Sequence, residues 1–229
     1  MHCWMQETCK VYQTGNHDCD FSPNHCVKWI KMDALYKASL LPETARRKAS
    51  IRVDSDGTDR DTFCRLLEQS ADIERFVAEG RNLFLHSRIC GNGKTLWAVR
   101  FLQSYFDAVW HKVSLDCHAL FVNIPSFFLQ LKASLGGENN SAQHILTNIE
   151  KADLVVFDEV ATKSITTFEQ EHLLSIISRR LDLRKSCIYT SNLFGSELRS
   201  LIGDRLYSRI VSTSTCYEFK GQDKRFLQV

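Results

Sequence analysis

The stretch Gly91-Asn92-Gly93-Lys94-Thr95 lies between the apolar run Asn82–Ser87 and a helical period that begins at Lys94. Its spacing matches the second half of G-x-x-x-x-G-K-[ST], a loop that cradles phosphates. That chemistry needs glycine where backbone N–H groups curl around phosphate oxygens, because a side chain blocks the approach. It also needs a lysine to reach the β- and γ-phosphates and a hydroxyl to hold Mg²⁺. The start of a helix adds partial positive charge at the same point. The expected nucleotide contacts are Cys90, Gly91, Asn92, Gly93, Lys94, Thr95 and Leu96. Arg88 stands where the pattern has its first glycine, which puts the start of the loop in question.

A second group of polar residues fits the same chemistry. The run Leu154-Val155-Val156-Phe157 ends in Asp158-Glu159. Asp158 is expected to hold Mg²⁺ with Thr95, and Glu159 to polarise an attacking water. A strand that merely ends in two solvated acids is common, but the strand–loop–helix context upstream favours the chemical reading. Asn192 follows Tyr189-Thr190-Ser191 and is placed to hydrogen-bond a γ-phosphate or the attacking water, against the plainer reading of a turn-forming Asn. Asn123, ending another run, could orient Glu159, with a plain strand-ending Asn the stronger reading. Arg205 and Arg209 lie past the last of these runs; an arginine there can complete a neighbouring subunit's site. From spacing alone, a basic solvated helix is the preferred reading of that segment. Lys132 is a candidate DNA contact, with a solvated helix face the stronger reading.

These residues need a scaffold that alternates strands and helices. The periods give helices at Asp61–Ala78, Lys94 to about Trp110, Phe127–Ser134, Ala142–Glu150 and Phe168–Leu183. They give strands at Asn82–Ser87, Ala119–Asn123, Asp153–Asp158 and Cys187–Ser191. Such alternation implies a parallel sheet with right-handed crossovers. Ahead of it, residues 1–41 are Cys/His-rich and end in a helix-like stretch, Val27 to Leu40; residues 42–60 show no period and read as a linker. The third part is 61–229.

Composition bounds the rest. The chain has 229 residues, 44% hydrophobic and 24% charged, which suits a folded protein and excludes a wholly disordered one. With 29 Lys+Arg against 27 Asp+Glu, the net charge of +2 excludes coating nucleic acid by charge alone. No apolar run of about 18 residues is present, so no membrane partner is expected. No secretory pattern opens the chain, and a reducing, cytoplasmic compartment is expected. Of nine cysteines, Cys3, Cys9, Cys19 and Cys26 cluster at the start. Four thiolates could close a structural Zn²⁺ site, with His17 the first substitute among His2, His17 and His25. A metal would supply on the order of 10 kcal/mol of folding free energy to a segment with little core of its own. Reduced, unliganded cysteines are the alternative.

Asn82–Thr95, Leu154–Glu159, Thr190–Asn192 and above all Gly203-Asp-Arg-Leu-Tyr-Ser-Arg-Ile210 together resemble the DnaC/DnaI-type replicative helicase loaders. These are AAA+ ATPases grouped with the IstB-type transposition ATPases. The resemblance covers roughly residues 80–225. It implies an α/β AAA+ P-loop fold with a parallel five-stranded sheet between helices, preceded by a small zinc-binding module that docks on the helicase. It also implies ATP and Mg²⁺ at the site, Arg209 as an arginine finger with Arg205 beside it, and no C-terminal helical lid. In place of the sensor 2 arginine of such a lid, Arg225 could contact the nucleotide. The implied partners are a DnaB-family helicase, single-stranded DNA and further copies of the chain when ATP-bound. The small size and Cys-rich start look most like loaders of phages or prophages of Gram-positive bacteria. The alternatives are an IstB-like transposition ATPase and a non-hydrolysing zinc-bearing adaptor with an imperfect phosphate loop.

Overall fold

In a computed structural model of the chain, five short segments pair in parallel: β1 (Leu83–His86), β2 (Ala119–Asn123), β3 (Leu154–Asp158), β4 (Ser186–Ser191) and β5 (Thr215–Glu218). Their order across the sheet is β2–β3–β4–β1–β5. The structure describes residue 9 and residues 26–46, 57–134, 141–161 and 165–224. The helices are α1 (Val27–Ala38), α2 (Arg60–Ala71), α3 (Ile73–Ala78), α4 (Lys94–Val109), α5 (Ile124–Ser134), α6 (Ser141–Lys151), α7 (Thr167–Asp182), α8 (Gly195–Ile202) and α9 (Asp204–Ser212).

Alternate strand residues point to opposite faces, so each face needs its own cover. Leu83, Leu85, Val156 and Ile188 pack under α1 to α4, while Phe84, Val155, Phe157 and Tyr189 pack under α5 to α9. The result is helix, sheet, helix, as the alternating pattern requires. Val27–Ala38, placed by sequence with the Cys/His-rich segment, joins the first of these cores through Met32, Leu35 and Tyr36. The Ser39 carbonyl also accepts the Phe121 N–H at 2.8 Å, covering the β2 edge.

Three details differ from the sequence reading. The helix expected over 61–78 kinks at Asp72 (φ −101°, ψ 41°), although hydrogen bonding continues through it from Phe76 N–H to the Asp72 carbonyl. The helix expected from Phe127 begins at Ile124. Pro125 is tolerated there because first-turn N–H groups have no helical partner, and Asn123 Oδ1 accepts the Ser126 N–H at 3.1 Å. The strand β5 has no apolar run of its own: it lies at the sheet edge beside β1, with Tyr217 buried and Thr215 and Glu218 exposed.

Arg180, in α7, is fully buried. Its guanidinium donates to the carbonyls of Ala152 and Ser186 at 2.8 and 2.7 Å, and to Ile149 as well. One charged side chain thereby ties the end of α6 to β3 and β4.

Candidate functional site

The loop between β1 and α4 is held by its own residues. Gly93 precedes α4 with φ 107°, a backbone that glycine adopts without steric cost. The Lys94 ammonium donates to the Ile89 carbonyl at 2.9 Å and to Asn92 Oδ1 at 3.1 Å. Asn92, buried, donates in turn to Ser87 Oγ at 2.6 Å and to the Phe219 carbonyl at 3.3 Å. Arg88 is tolerated at the first-glycine position because the backbone there has no positive φ. Its side chain lies in solvent and pairs with Glu197 at 3.0 Å.

Asp158 reaches this loop from β3, although β4 lies between β3 and β1. Thr95 Oγ1 donates to Asp158 Oδ1 at 2.9 Å, and Thr190 Oγ1, from the intervening β4, donates to the same oxygen at 2.8 Å. Burial pushes the Asp158 carboxyl up from the ordinary range, and the Thr190 and Thr95 hydroxyls pull it only part of the way back. A buried carboxylate beside a hydroxyl is an oxygen donor set suited to a hard cation such as Mg²⁺. Glu159 adopts φ 58°, unusual for a residue with a side chain. Its N–H donates to Thr190 Oγ1 at 3.0 Å, and Asn123 Nδ2 donates to its carboxylate at 3.1 Å. Left-handed backbone held this way concentrates at functional positions.

These groups surround a cavity of about 420 Å³. Gly91 to Trp97 form one wall, Glu159, Thr190, Ser191 and Asn192 a second, and Phe63 and Lys224 a third. The structure therefore brings together Gly91, Asn92, Gly93, Lys94, Thr95, Leu96, Glu159 and Asn192, with Asp158 bonded to Thr95 beside them. Cys90 is exposed and does not line the cavity. Arg205 and Arg209 sit on the exposed face of α9, away from it; among the described residues neither forms an ion pair. Lys132 pairs with Glu169 at 2.8 Å, as on a solvated helix face.

Thr190, Phe63 and Lys224 were not among the expected site residues. Thr190 had a signal, a hydroxyl on a buried strand next to Asn192. The other two arrive from sequence-distant segments and had none.

The expected zinc ligands Cys3, Cys19 and His17 lie outside the described residues, as does Arg225. Cys26 caps α1, its sulfur accepting the Trp29 N–H at 3.4 Å. Among the described residues no group of three or more His, Cys, Asp or Glu is placed to hold a metal ion. Among them, too, no helix is long and apolar enough to cross a membrane.

Known proteins resemble this arrangement. The family described as IstB-like ATP binding protein matches residues 44–226. The replicative helicase loader DnaC of Buchnera aphidicola subsp. Baizongia pistaciae is 27% identical over 92 residues, 40% of this chain and 37% of that protein. The alignment thus spans well under half of that curated relative. A crystal structure of the DnaC helicase loader superposes with TM-score 0.56 at 20% identity, over 81% of this chain and 98% of that one. A crystal structure of DnaI gives 0.61 at 24% identity, over 81% and 94%. At those identities the likeness is one of fold.

Proposed function

The chain belongs to the family of IstB-like ATP binding proteins, and from that premise we propose that it is a Mg²⁺-dependent ATPase that loads a DnaB-family replicative helicase onto single-stranded DNA. One observation carries the nucleotide part: Lys94 and Thr95 of the glycine loop share a cavity with Glu159, which follows β3, while Asp158 at the end of β3 accepts the Thr95 hydroxyl beside it. The loader part is supported by relatives that are named replicative helicase loader DnaC.

Each residue then has a defined task. The glycine loop binds the triphosphate through backbone N–H groups, with Lys94 adding charge. Thr95 and Asp158 hold Mg²⁺, which when bound neutralises charge on the phosphates. Glu159, oriented by Asn123, takes a proton from the attacking water. Asn192 hydrogen-bonds the γ-phosphate or that water. Arg209, with Arg205 beside it, projects from α9 to the site of a neighbouring copy, which makes the active species an oligomer. Zn²⁺ at the N-terminal cysteines, which would serve helicase docking, rests on their clustering and on the resemblance to the loaders; one zinc per chain by atomic spectroscopy is its test.

The direct test is capture of the chain by an immobilised DnaB-family helicase with and without ATP. Capture that changes with ATP supports the loader. No capture under either condition overturns it. Capture by a chain that binds no ATP points instead to the adaptor, whose loop carries Arg88.

A further inference from the structure

After β5 the chain crosses back over the cavity. Phe219 is buried against Phe63, ring centroids 5.5 Å apart, and its N–H donates to the His86 carbonyl at 2.8 Å. The Asp59 carboxylate accepts the N–H groups of Lys220 and Gly221, both at 2.8 Å. Asp59 precedes α2, the helix that carries Phe63, so the root of this strap is fixed to one cavity wall. Its tip reaches the other. The Lys224 N–H donates to the Gly91 carbonyl at 3.0 Å.

Two side chains at the tip touch two walls of the cavity: Lys224 lines it beside Phe63, and Asp223 packs on Gly91 of the glycine loop. The Asp223 carboxylate packs on Gly91 so closely that a methyl group there would sit 1.9 Å from its oxygen. Only glycine, here with φ 71°, permits that approach. An anionic group thus rests on the loop proposed to hold an anionic phosphate chain. The Lys224 ammonium lies 4.8 Å from the centre of the Phe63 ring. Phe63 lines the cavity yet is 2% exposed. A ring face that holds a cation is also the face on which a nucleobase stacks.

We propose that Gly221–Lys224 is a self-docking latch that competes with the nucleotide, Asp223 opposing the phosphates at Gly91 and Lys224 covering the base-stacking face of Phe63. The proposal rests on the nucleotide reading above. A ligand and a strap that need the same surfaces are linked: binding one lowers the population of the other by the same factor.

The test compares ATP with tripolyphosphate, which has no base, by calorimetry on the full chain. Asp223→Asn is expected to tighten both ligands, by several-fold to about tenfold, the range for one partly screened charge contact. Lys224→Ala is expected to tighten ATP by a larger factor than tripolyphosphate, because only ATP also gains the uncovered Phe63 face. Amide exchange of the peptide spanning Gly221–Lys224 is expected to speed up when ATP is added. Variants that bind ATP no more tightly than wild type, or a strap whose exchange ATP slows or leaves unchanged, overturn the latch while leaving the nucleotide reading intact. Binding of neither ligand to wild type or variants overturns both.

Discussion

The Thr95 hydroxyl, at the start of α4, donates to the Asp158 carboxylate at 2.9 Å, joining residues 63 apart in sequence across the strand that separates β1 from β3. That carboxylate is buried, and burial raises its pKa. Its charge therefore costs stability until a cation compensates it. Asp158→Asn keeps an oxygen acceptor for both threonine hydroxyls and removes the buried charge. The variant should melt a few degrees higher, a gain of about 1 kcal/mol, while losing Mg²⁺-dependent nucleotide binding. Calorimetric unfolding and an ATP titration at fixed Mg²⁺ check the two halves; a less stable variant that still binds ATP·Mg²⁺ is the contrary result.

Glu159 and Asn123 should separate in kinetics. Removing a positioned base costs about a hundredfold or more in turnover. Glu159→Gln is expected to lose that much hydrolysis with ATP affinity within about threefold of wild type. Asn123→Ala leaves the base in place but unoriented, so a smaller fall in kcat is expected, about tenfold, with KM little changed. Equal turnover in Glu159→Gln and wild type would remove the base assignment.

Arg180 is a structural arginine whose guanidinium, among the described residues, bonds to carbonyls and to no carboxylate. Arg180→Leu leaves the Ile149 and Ala152 carbonyls buried without their Arg180 donor and takes one donor from the Ser186 carbonyl. A loss of about 3 kcal/mol or more in chemical denaturation is expected, since each orphaned acceptor carries its own desolvation cost. Stability within about 0.5 kcal/mol of wild type would show that water or backbone shifts replace the guanidinium.

His86 ends β1 and stacks on Phe194, centroids 4.0 Å apart and planes within 7°. Burial, reinforced by the nearby Lys94 charge, holds its pKa below the ordinary 6.5, and Glu218 offsets this in part. The unfolded chain therefore takes up a proton near pH 6.5 that the folded chain still refuses. Stability is full above that pH and falls as the pH drops from there through the depressed folded value. His86→Phe keeps a ring for Phe194 and removes the titration. Its denaturation midpoint should lose less than wild type between about pH 7.5 and about pH 5. Parallel curves for the two proteins would show that His86 does not contribute.

Much of the site was legible because it is built from local patterns. Gly93-Lys94-Thr95 sits at a strand-to-helix turn, and Asp158-Glu159 ends an apolar run, so spacing alone exposed both. The bridging role of Thr190 was not legible, because it depends on β4 inserting between β1 and β3, and strand order is not written in periodicity. Phe63 and Lys224 come from distant parts of the sequence, and their juxtaposition exists only in three dimensions. Nothing local in the sequence announces the cage of carbonyls around Arg180. β5 was hidden because an edge strand with one buried residue gives no apolar run. Arg88 looked like a defect by pattern, yet its backbone makes no demand for glycine.

Equilibrium titration with ATP·Mg²⁺, on wild type and on Lys94→Ala, bears most directly on the claim that the glycine loop and the β3 acids form one nucleotide site. Wild type should bind, and Lys94→Ala should bind at least about tenfold more weakly, a loss of about 1.4 kcal/mol. Equal affinity in the two proteins, or no binding by either, would contradict it.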